Sequence, residues 1–134
     1  MPRPLVLIAD DHVAVRLLLV DAMSAAGFET MAVEDGGAAL DAAILHRPQV
    51  LLLDAQMPVM NGYEVLGRLK QDPQLCDIGV IMLTASGDTE GGLEALRLGA
   101  AHYATKPFSL GELIARVSRL TMPTPIAQPI ASVA

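Results

Sequence analysis

Short apolar runs alternate with segments of helical spacing along this chain, and this alternation restricts the fold more than any other sequence feature. Leu5–Ala9, Val50–Leu53 and Ile78–Leu83 are apolar runs without a polar residue at every second position. Strands of this kind are typically buried on both faces, as in parallel sheets covered by helices. The sequence therefore predicts an α/β fold with a doubly wound, five-stranded parallel sheet and five helices.

Turn and capping residues indicate where these elements begin and end. The predicted strands are Leu5–Asp10, Thr30–Val33, Val50–Asp54, Ile78–Thr84 and Ala101–Thr105. The predicted helices cover about residues 12–26, 40–44, 65–69, 88–98 and 110–120. The second of them stops before Pro48, and a capping box at Ser109–Glu112 precedes the last. Asp35-Gly36-Gly37 is interpreted as a turn.

Composition limits the class of protein. A length of 134 residues and a mass of 14.1 kDa favour one domain, predicted over residues 1–120, with residues 121–134 as a proline-containing tail or the start of a linker. The net charge of −6 and the absence of a basic patch argue against direct nucleic-acid binding. The N-terminal apolar run is too short for a membrane span, so we expect a cytoplasmic protein without membrane contact.

Charged and hydroxyl side chains stand at the points where the apolar runs stop. Asp10-Asp11 ends the first run, Asp54 the third, Thr84 the fourth and Lys106-Pro107 the weaker fifth. Ligands of doubly wound sheets bind outside the carboxyl ends of the strands. We therefore expect these groups to gather at one sheet edge, where three carboxylates, a hydroxyl and an ammonium suit a divalent cation and a phosphoryl group.

The acidic part of this constellation indicates a cation. Carboxylates held close together repel each other unless a cation is present, and oxygen ligands favour Mg²⁺ or Mn²⁺ over zinc. The histidines, His12, His46 and His102, lie far apart in sequence and show no metal-ligand spacing. Taken alone, Asp10-Asp11 fits equally well as the N-cap of the helix that follows.

A carboxylate at the end of the most apolar strand is a plausible nucleophile for phosphorus. Attack by Asp54 would give an aspartyl phosphate, and Thr84 and Lys106 could hold the phosphoryl oxygens. Each of these residues also has a simpler interpretation when it is considered by itself. Asp54 could be a solvated loop residue, Thr84 a β-branched residue that ends a strand, and Lys106 a solvated surface lysine.

Taken together, the residues resemble a known family. The order and spacing of Asp10-Asp11, Asp54, Thr84 and Lys106-Pro107 are similar to those of the receiver domain of two-component response regulators. Further matching pieces are Met57-Pro58 with Asn61-Gly62, Leu98-Gly99-Ala100-Ala101, and Tyr103 before Lys106-Pro107-Phe108. The resemblance covers about residues 4–120 and implies a flavodoxin-like fold with strand order 2-1-3-4-5, for which a member of this family is a standard example.

The resemblance implies a role for each matching residue. Asp54 would accept a phosphoryl group from a phosphohistidine on a sensor kinase or a histidine phosphotransfer protein. Asp11, Asp54 and the backbone carbonyl of Gln56 would bind Mg²⁺ directly, and Asp10 would bind it mainly through water. The chain would then be a phospho-accepting switch that catalyses only its own phosphotransfer and a slow autodephosphorylation, and not an enzyme acting on a separate substrate.

Other implied features concern the switch and its output. Lys106 and Thr84 would hold the phosphoryl group, Tyr103 would be the aromatic switch residue, and Lys106-Pro107 would be a cis peptide. The face formed by the fourth helix, the fifth strand and the fifth helix would contact a downstream protein or an appended output domain. Gln56 and Ser86 would set the lifetime of the phosphoryl group, and Ala101-His102 replaces a more usual acidic pair.

Competing functions make different demands on the sequence. A phosphorylation-independent interaction module would be indicated by loss of an acid or of the lysine, and none is lost. An aspartate-nucleophile hydrolase typically has a second aspartate two residues after the nucleophile, where this chain has Gln56. A dinucleotide or flavin domain is disfavoured because Asp10-Asp11-His12 is not glycine-rich and would repel phosphate. A free-standing regulator and a receiver that is part of a longer regulator both remain open.

Overall fold

The computed structural model describes residues 3–122, and the predicted alternation of strands and helices is confirmed there. The strands are β1 (Leu5–Ala9), β2 (Glu29–Val33), β3 (Val50–Asp54), β4 (Gly79–Thr84) and β5 (His102–Thr105). The helices are α1 (Val13–Ala25), α2 (Gly36–His46), α3 (Gly62–Gln71), α4 (Thr89–Arg97) and α5 (Leu110–Thr121). All neighbouring strands are parallel, and their order is β2-β1-β3-β4-β5.

Two hydrophobic cores lie on the two faces of this sheet. In β1, Leu7 and Ala9 pack in the core that includes residues of α2, α3 and α4, whereas Val6 and Ile8 pack in the core that includes residues of α1 and α5. Strands β3 and β4 divide their side chains between the same two cores. Because every second residue enters a different apolar core, both faces of these strands need apolar residues, which explains the unbroken apolar runs.

Side-chain caps begin four of the helices. The side chains of Asp35, Asn61, Asp88 and Ser109 each accept a hydrogen bond from a backbone N–H in the first turn of α2, α3, α4 and α5 respectively. Helix α1 differs, because His12 at its N-cap makes no such bond. Within residues 3–122, no helix combines the length and the apolar character needed to cross a membrane.

One local prediction is wrong. Gly36 and Gly37 do not form a turn, since they are the first residues of α2. The Asp35 side chain accepts a hydrogen bond from Ala38 N at 2.8 Å, and this cap starts the helix despite the low helical propensity of glycine. At the other end of the chain, the predicted tail lies outside the described residues except for Thr121 and Met122.

Candidate functional site

The carboxyl ends of β1, β3 and β4 bring three buried polar side chains to one edge of the sheet. Asp10 directly follows β1, and Asp54 and Thr84 are the last residues of β3 and β4. They are 0%, 3% and 1% exposed, whereas the other buried residues of these strands are apolar. Buried polar groups at neighbouring strand ends indicate a functional site, because burying a carboxylate without a partner costs free energy of folding.

Lys106 joins the two buried carboxylates. It follows β5, and its Nζ lies 3.1 Å from Asp10 Oδ2 and 3.3 Å from Asp54 Oδ1. Burial by itself lowers the pKa of Lys106, but the negative charges of Asp54 and Asp10 outweigh that effect and raise it. The ammonium is therefore held in its charged form between the two acids, as the sequence predicts for the convergence of these strand ends.

One oxygen of Asp54 has no hydrogen-bond partner among residues 3–122. Gln56 N donates to Asp54 Oδ1 at 3.2 Å, while the buried Oδ2 makes no hydrogen bond to any of residues 3–122. Burial and the negative charge of Asp10 raise the pKa of Asp54, against the opposing effect of Lys106. An unpaired buried acceptor costs about 1–3 kcal/mol, so this oxygen is suited to an incoming cation or electrophile.

The N-cap interpretation of Asp10-Asp11 is not supported. Asp10 Oδ1 accepts from His12 N at 2.9 Å, before the helix starts, and Asp10 Oδ2 accepts from Lys106. Asp11 is more open, with a side chain that is 33% exposed. Asp10 is thus fixed by hydrogen bonds within the protein, whereas Asp11 lies at the more exposed entrance to the site.

Sequence spacing gave no indication that a histidine belongs to this site. Single ligand atoms of Asp10, Asp11, His12 and Asp54 all lie within 4.8 Å of one another. His12 could have been found from its position directly after an acidic pair at a strand end, although not from any spacing between histidines. Residues 3–122 thus offer three carboxylates and an imidazole, a donor set that fits a divalent cation.

The other predicted site residues lie at the ends of β3 and β4 and on β5. The buried Thr84 hydroxyl donates to the Ala104 carbonyl at 3.4 Å, Tyr103 lies on β5, and Gln56 and Ser86 are exposed at the ends of β3 and β4. The Lys106-Pro107 bond is cis, as predicted. The structure therefore brings Asp10, Asp54 and Lys106 into direct contact, and it places Thr84, Gln56 and Ser86 at or just beyond the ends of β4 and β3, with Tyr103 on β5.

His102 makes a contact that the sequence did not predict. It lies beside Tyr103 on β5, and the Arg116 guanidinium of α5 is a hydrogen-bond donor to its Nδ1 at 2.6 Å. Burial, together with the charges of Arg116 and Arg119, lowers the pKa of His102. Where the resemblance leads one to expect an acidic pair, His102 therefore accepts a hydrogen bond from Arg116.

Comparison with known proteins identifies the family. The sequence profile described as the response regulator receiver domain matches residues 6–118. The phosphate regulon transcriptional regulatory protein PhoB of Pseudomonas aeruginosa is 38% identical over 112 residues, which are 84% of this chain and 49% of PhoB. The chain belongs to the response regulator receiver family.

Solved receiver domains have the same fold and extent. The Francisella response regulator 1452 receiver domain superimposes with a TM-score of 0.81 at 35% identity, covering 87% of this chain and 95% of that one. The chemotaxis response regulator CheY4 of Vibrio cholerae gives 0.81 at 30% identity, covering 88% and 98%. The strand order implied by the resemblance is therefore confirmed both by the sheet itself and by these structures.

The curated relatives are longer than this receiver domain. The chain spans about half the length of PhoB and 25% of the DNA-binding transcriptional regulator NtrC of Klebsiella pneumoniae, to which it is 36% identical over 119 residues. The similarity to these two proteins therefore concerns only part of each of them.

Proposed function

We propose that this receiver domain accepts a phosphoryl group on Asp54 from a phosphohistidine and thereby changes the surface that it offers to a partner. The donor would be a sensor histidine kinase or a histidine phosphotransfer protein in the cytoplasm. The single observation that best supports this proposal is the buried, unpartnered Oδ2 of Asp54 beside Lys106. The complete set of acids and the lysine also favours phosphorylation over a phosphorylation-independent interaction module.

In the proposed reaction, an Asp54 oxygen attacks phosphorus, a P–O bond forms, and the P–N bond to the donor imidazole breaks. Lys106 neutralises negative charge on the phosphoryl oxygens, and it already lies 3.3 Å from Asp54 Oδ1. The domain completes this reaction on itself, so we propose that it has no turnover on a separate substrate apart from slow autodephosphorylation. Gln56 and Ser86, both exposed beside the site, are expected to set the lifetime of the acyl phosphate.

Asp11, Asp54 and the Gln56 carbonyl would hold Mg²⁺ or Mn²⁺, with Asp10 acting mainly through water. The bound cation would neutralise charge on the phosphoryl oxygens during transfer. The protein contacts of Asp10 support its indirect role, because its oxygens already accept from His12 N and Lys106 Nζ. Asp11 is partly exposed, and its one polar side-chain contact among residues 3–122 is that of Oδ1 with His12 Nδ1 at 3.3 Å, which supports its direct role.

Thr84 offers a route from the site to β5. Its hydroxyl now donates to the Ala104 carbonyl at 3.4 Å, which is longer than a strong O–H···O bond. A phosphoryl group on Asp54 would supply a charged acceptor at the adjacent strand end, and charge-assisted bonds are stronger. Thr84 would then leave Ala104, the neighbour of Tyr103, and this exchange would couple the site to the aromatic switch residue.

The proposed output face consists of α4, β5 and α5. Leu93 and Leu96 of α4 are exposed large apolar residues, and a groove between β5 and α5 is lined by Tyr103, Phe108 and Arg116. An apolar surface with a polar rim suits a protein partner, either a separate target or an appended output domain. The net charge of −6 supports the view that this domain does not itself contact nucleic acid or a membrane.

Uptake of one phosphoryl group tests the proposal. We expect the chain to gain one group by mass when it is incubated with a small acyl-phosphate donor and Mg²⁺, and to lose it on treatment with hydroxylamine, which cleaves acyl phosphates. Peptide mapping should locate the group at Asp54. A hydroxylamine-stable label, or a label on a serine or threonine, would contradict the proposal.

Gly92 of α4 leaves room for the ring of Tyr103, the proposed switch residue. A side-chain carbon at Gly92 would collide with the ring of Tyr103, so the ring lies directly against the backbone of this helix. By contrast, a side-chain carbon at Gly67, in the interior of α3, would meet nothing within 4 Å. Gly92 therefore permits the present position of Tyr103, and Gly67 is a matched control for the effect of alanine on helix formation.

We expect Gly92→Ala to displace the Tyr103 ring toward solvent. Alanine stabilises a helix interior by about 1 kcal/mol relative to glycine, and this gain should appear in Gly67→Ala but be offset by the collision in Gly92→Ala. The chain has two tyrosines and no tryptophan, so Tyr63→Phe leaves Tyr103 as the only strong emitter. Iodide should quench its fluorescence more strongly in Tyr63→Phe/Gly92→Ala than in Tyr63→Phe/Gly67→Ala. Equal quenching would contradict the role of Gly92.

A further inference from the structure

His12 lies at the acidic site, and its side chain does not cap the helix that follows it. Its backbone is extended at the N-cap of α1, and its side chain makes no capping bond. The ring Nδ1 lies 3.3 Å from Asp10 Oδ1 and 3.3 Å from Asp11 Oδ1, while the side chain is 67% exposed. The imidazole is thus held at the entrance to the site, where an ion from solvent can reach it.

Among the carboxylates near the ring, Asp54 keeps one buried oxygen available for an ion. Lys106 contacts Asp10 Oδ2 and Asp54 Oδ1, and Asp10 Oδ1 accepts from His12 N, whereas the buried Asp54 Oδ2 has no hydrogen-bond partner among residues 3–122. One ligand atom from each of Asp10, Asp11, His12 and Asp54 lies within 4.8 Å of the others. Ligands of a single zinc ion stand about 2.0–2.2 Å from it, so small side-chain rotations bring these atoms into range.

We propose that this site also binds zinc-class ions (Zn²⁺, Co²⁺). His12 would supply a nitrogen ligand, and two or more of Asp10, Asp11 and Asp54 would supply carboxylate oxygens. Imidazole suits such ions, whereas Mg²⁺ prefers oxygen ligands and retains water. Binding of Mg²⁺ therefore does not need His12. Zinc-class binding goes beyond the proposed function, and it rests on that function only because both involve Asp54.

Zinc-class binding would compete with phosphoryl acceptance. An ion that engages Asp54 Oδ2 takes up the oxygen proposed as nucleophile or cation ligand. A four-coordinate ion surrounded by four side chains also has no free position for a phosphoryl oxygen. Zn²⁺ should therefore inhibit phosphoryl uptake at a fixed Mg²⁺ concentration, and the inhibition should depend on His12.

Calorimetric titration of the whole chain with Zn²⁺ and, separately, with Mg²⁺ tests the assignment. We expect His12→Ala to weaken Zn²⁺ binding by about tenfold or more, in the range found when groups around metal sites are removed, and to change Mg²⁺ affinity by less than about threefold. His46→Ala is the matched control, because His46 is an exposed histidine at the end of α2, and it should change neither affinity. Because the His12 side chain is mostly exposed, its removal should leave the thermal midpoint without metal unchanged.

Two further measurements separate the outcomes. Substoichiometric Co²⁺ should broaden the His12 ring signals in NMR spectra before those of His46, and Zn²⁺ should inhibit phosphoryl uptake less in His12→Ala than in the unsubstituted chain. Zinc affinity that is unchanged in His12→Ala, or reduced equally with magnesium affinity, would overturn the inference while leaving Asp54 phosphorylation intact. An unsubstituted chain that binds Zn²⁺ through His12 but takes up no phosphoryl group would instead contradict the proposed function alone.

Discussion

Replacing Asp54 by asparagine is expected to abolish phosphoryl acceptance. The amide is a far weaker nucleophile than the carboxylate, and no other buried acid of residues 3–122 ends a strand beside Lys106 with an unpartnered oxygen. Mass spectrometry after incubation with a small acyl-phosphate donor and Mg²⁺ should therefore show no added group in Asp54→Asn. Asp21→Asn, at an exposed position in the middle of α1, should be labelled as fully as the unsubstituted chain.

The same substitution should not harm the fold. Burial and the nearby charge of Asp10 oppose ionisation of Asp54 more than Lys106 favours it, so the free energy of unfolding in a chelator should rise when the charge is removed. A rise in stability together with loss of labelling would show that labelling fails for a chemical reason and not through misfolding. Full labelling of Asp54→Asn would refute the assignment of the acceptor.

Removal of Asp11 is expected to weaken Mg²⁺ binding more than removal of Asp10. Asp11 is proposed to contact the cation directly, whereas both oxygens of Asp10 already accept hydrogen bonds from the protein. Loss of an outer partner typically lowers metal affinity by about 10–100-fold, so we expect about tenfold for Asp10→Ala and on the order of 100-fold for Asp11→Ala.

Titration calorimetry with Mg²⁺ measures both effects, and Asp21→Ala provides the control for loss of one negative charge at a distance. A thermal melt in chelator checks the Asp10→Ala protein, since that change removes one of the two carboxylates that pair with Lys106. Unchanged Mg²⁺ affinity in Asp11→Ala, or a larger loss in Asp10→Ala, would contradict the proposed division between direct and indirect ligands.

Much of the site could be predicted from the sequence because strand ends determine it. The apolar runs identify strands that are buried on both faces, and parallel strands bring their carboxyl ends to one edge. Asp10 and Lys106 are far apart in the chain, yet their contact at 3.1 Å follows once both are assigned to that edge. The order of the strands came from the resemblance to receiver domains and not from the pattern itself.

Other features depend on contacts that periodicity does not report. Gly36 and Gly37 were predicted to form a turn, but the Asp35 cap begins α2 there. The pair Gly91-Gly92 suggests a weak α4 by propensity alone, whereas the structure uses each glycine for a close approach, of Asp88 and Tyr63 in one case and of Tyr103 in the other. His12 was missed because its neighbours in the site are carboxylates and not other histidines.

Backbone NMR of the chain with and without a phosphoryl mimic, beryllium fluoride with Mg²⁺, tests the central claim most directly. If phosphorylation of Asp54 changes the α4, β5 and α5 face, amide shifts should move around Asp10, Asp11 and Asp54 and also through residues 86–108. Asp54→Asn under the same conditions should show no such changes. Shifts confined to the rim of the acidic site, with residues 86–108 unmoved, would contradict the account.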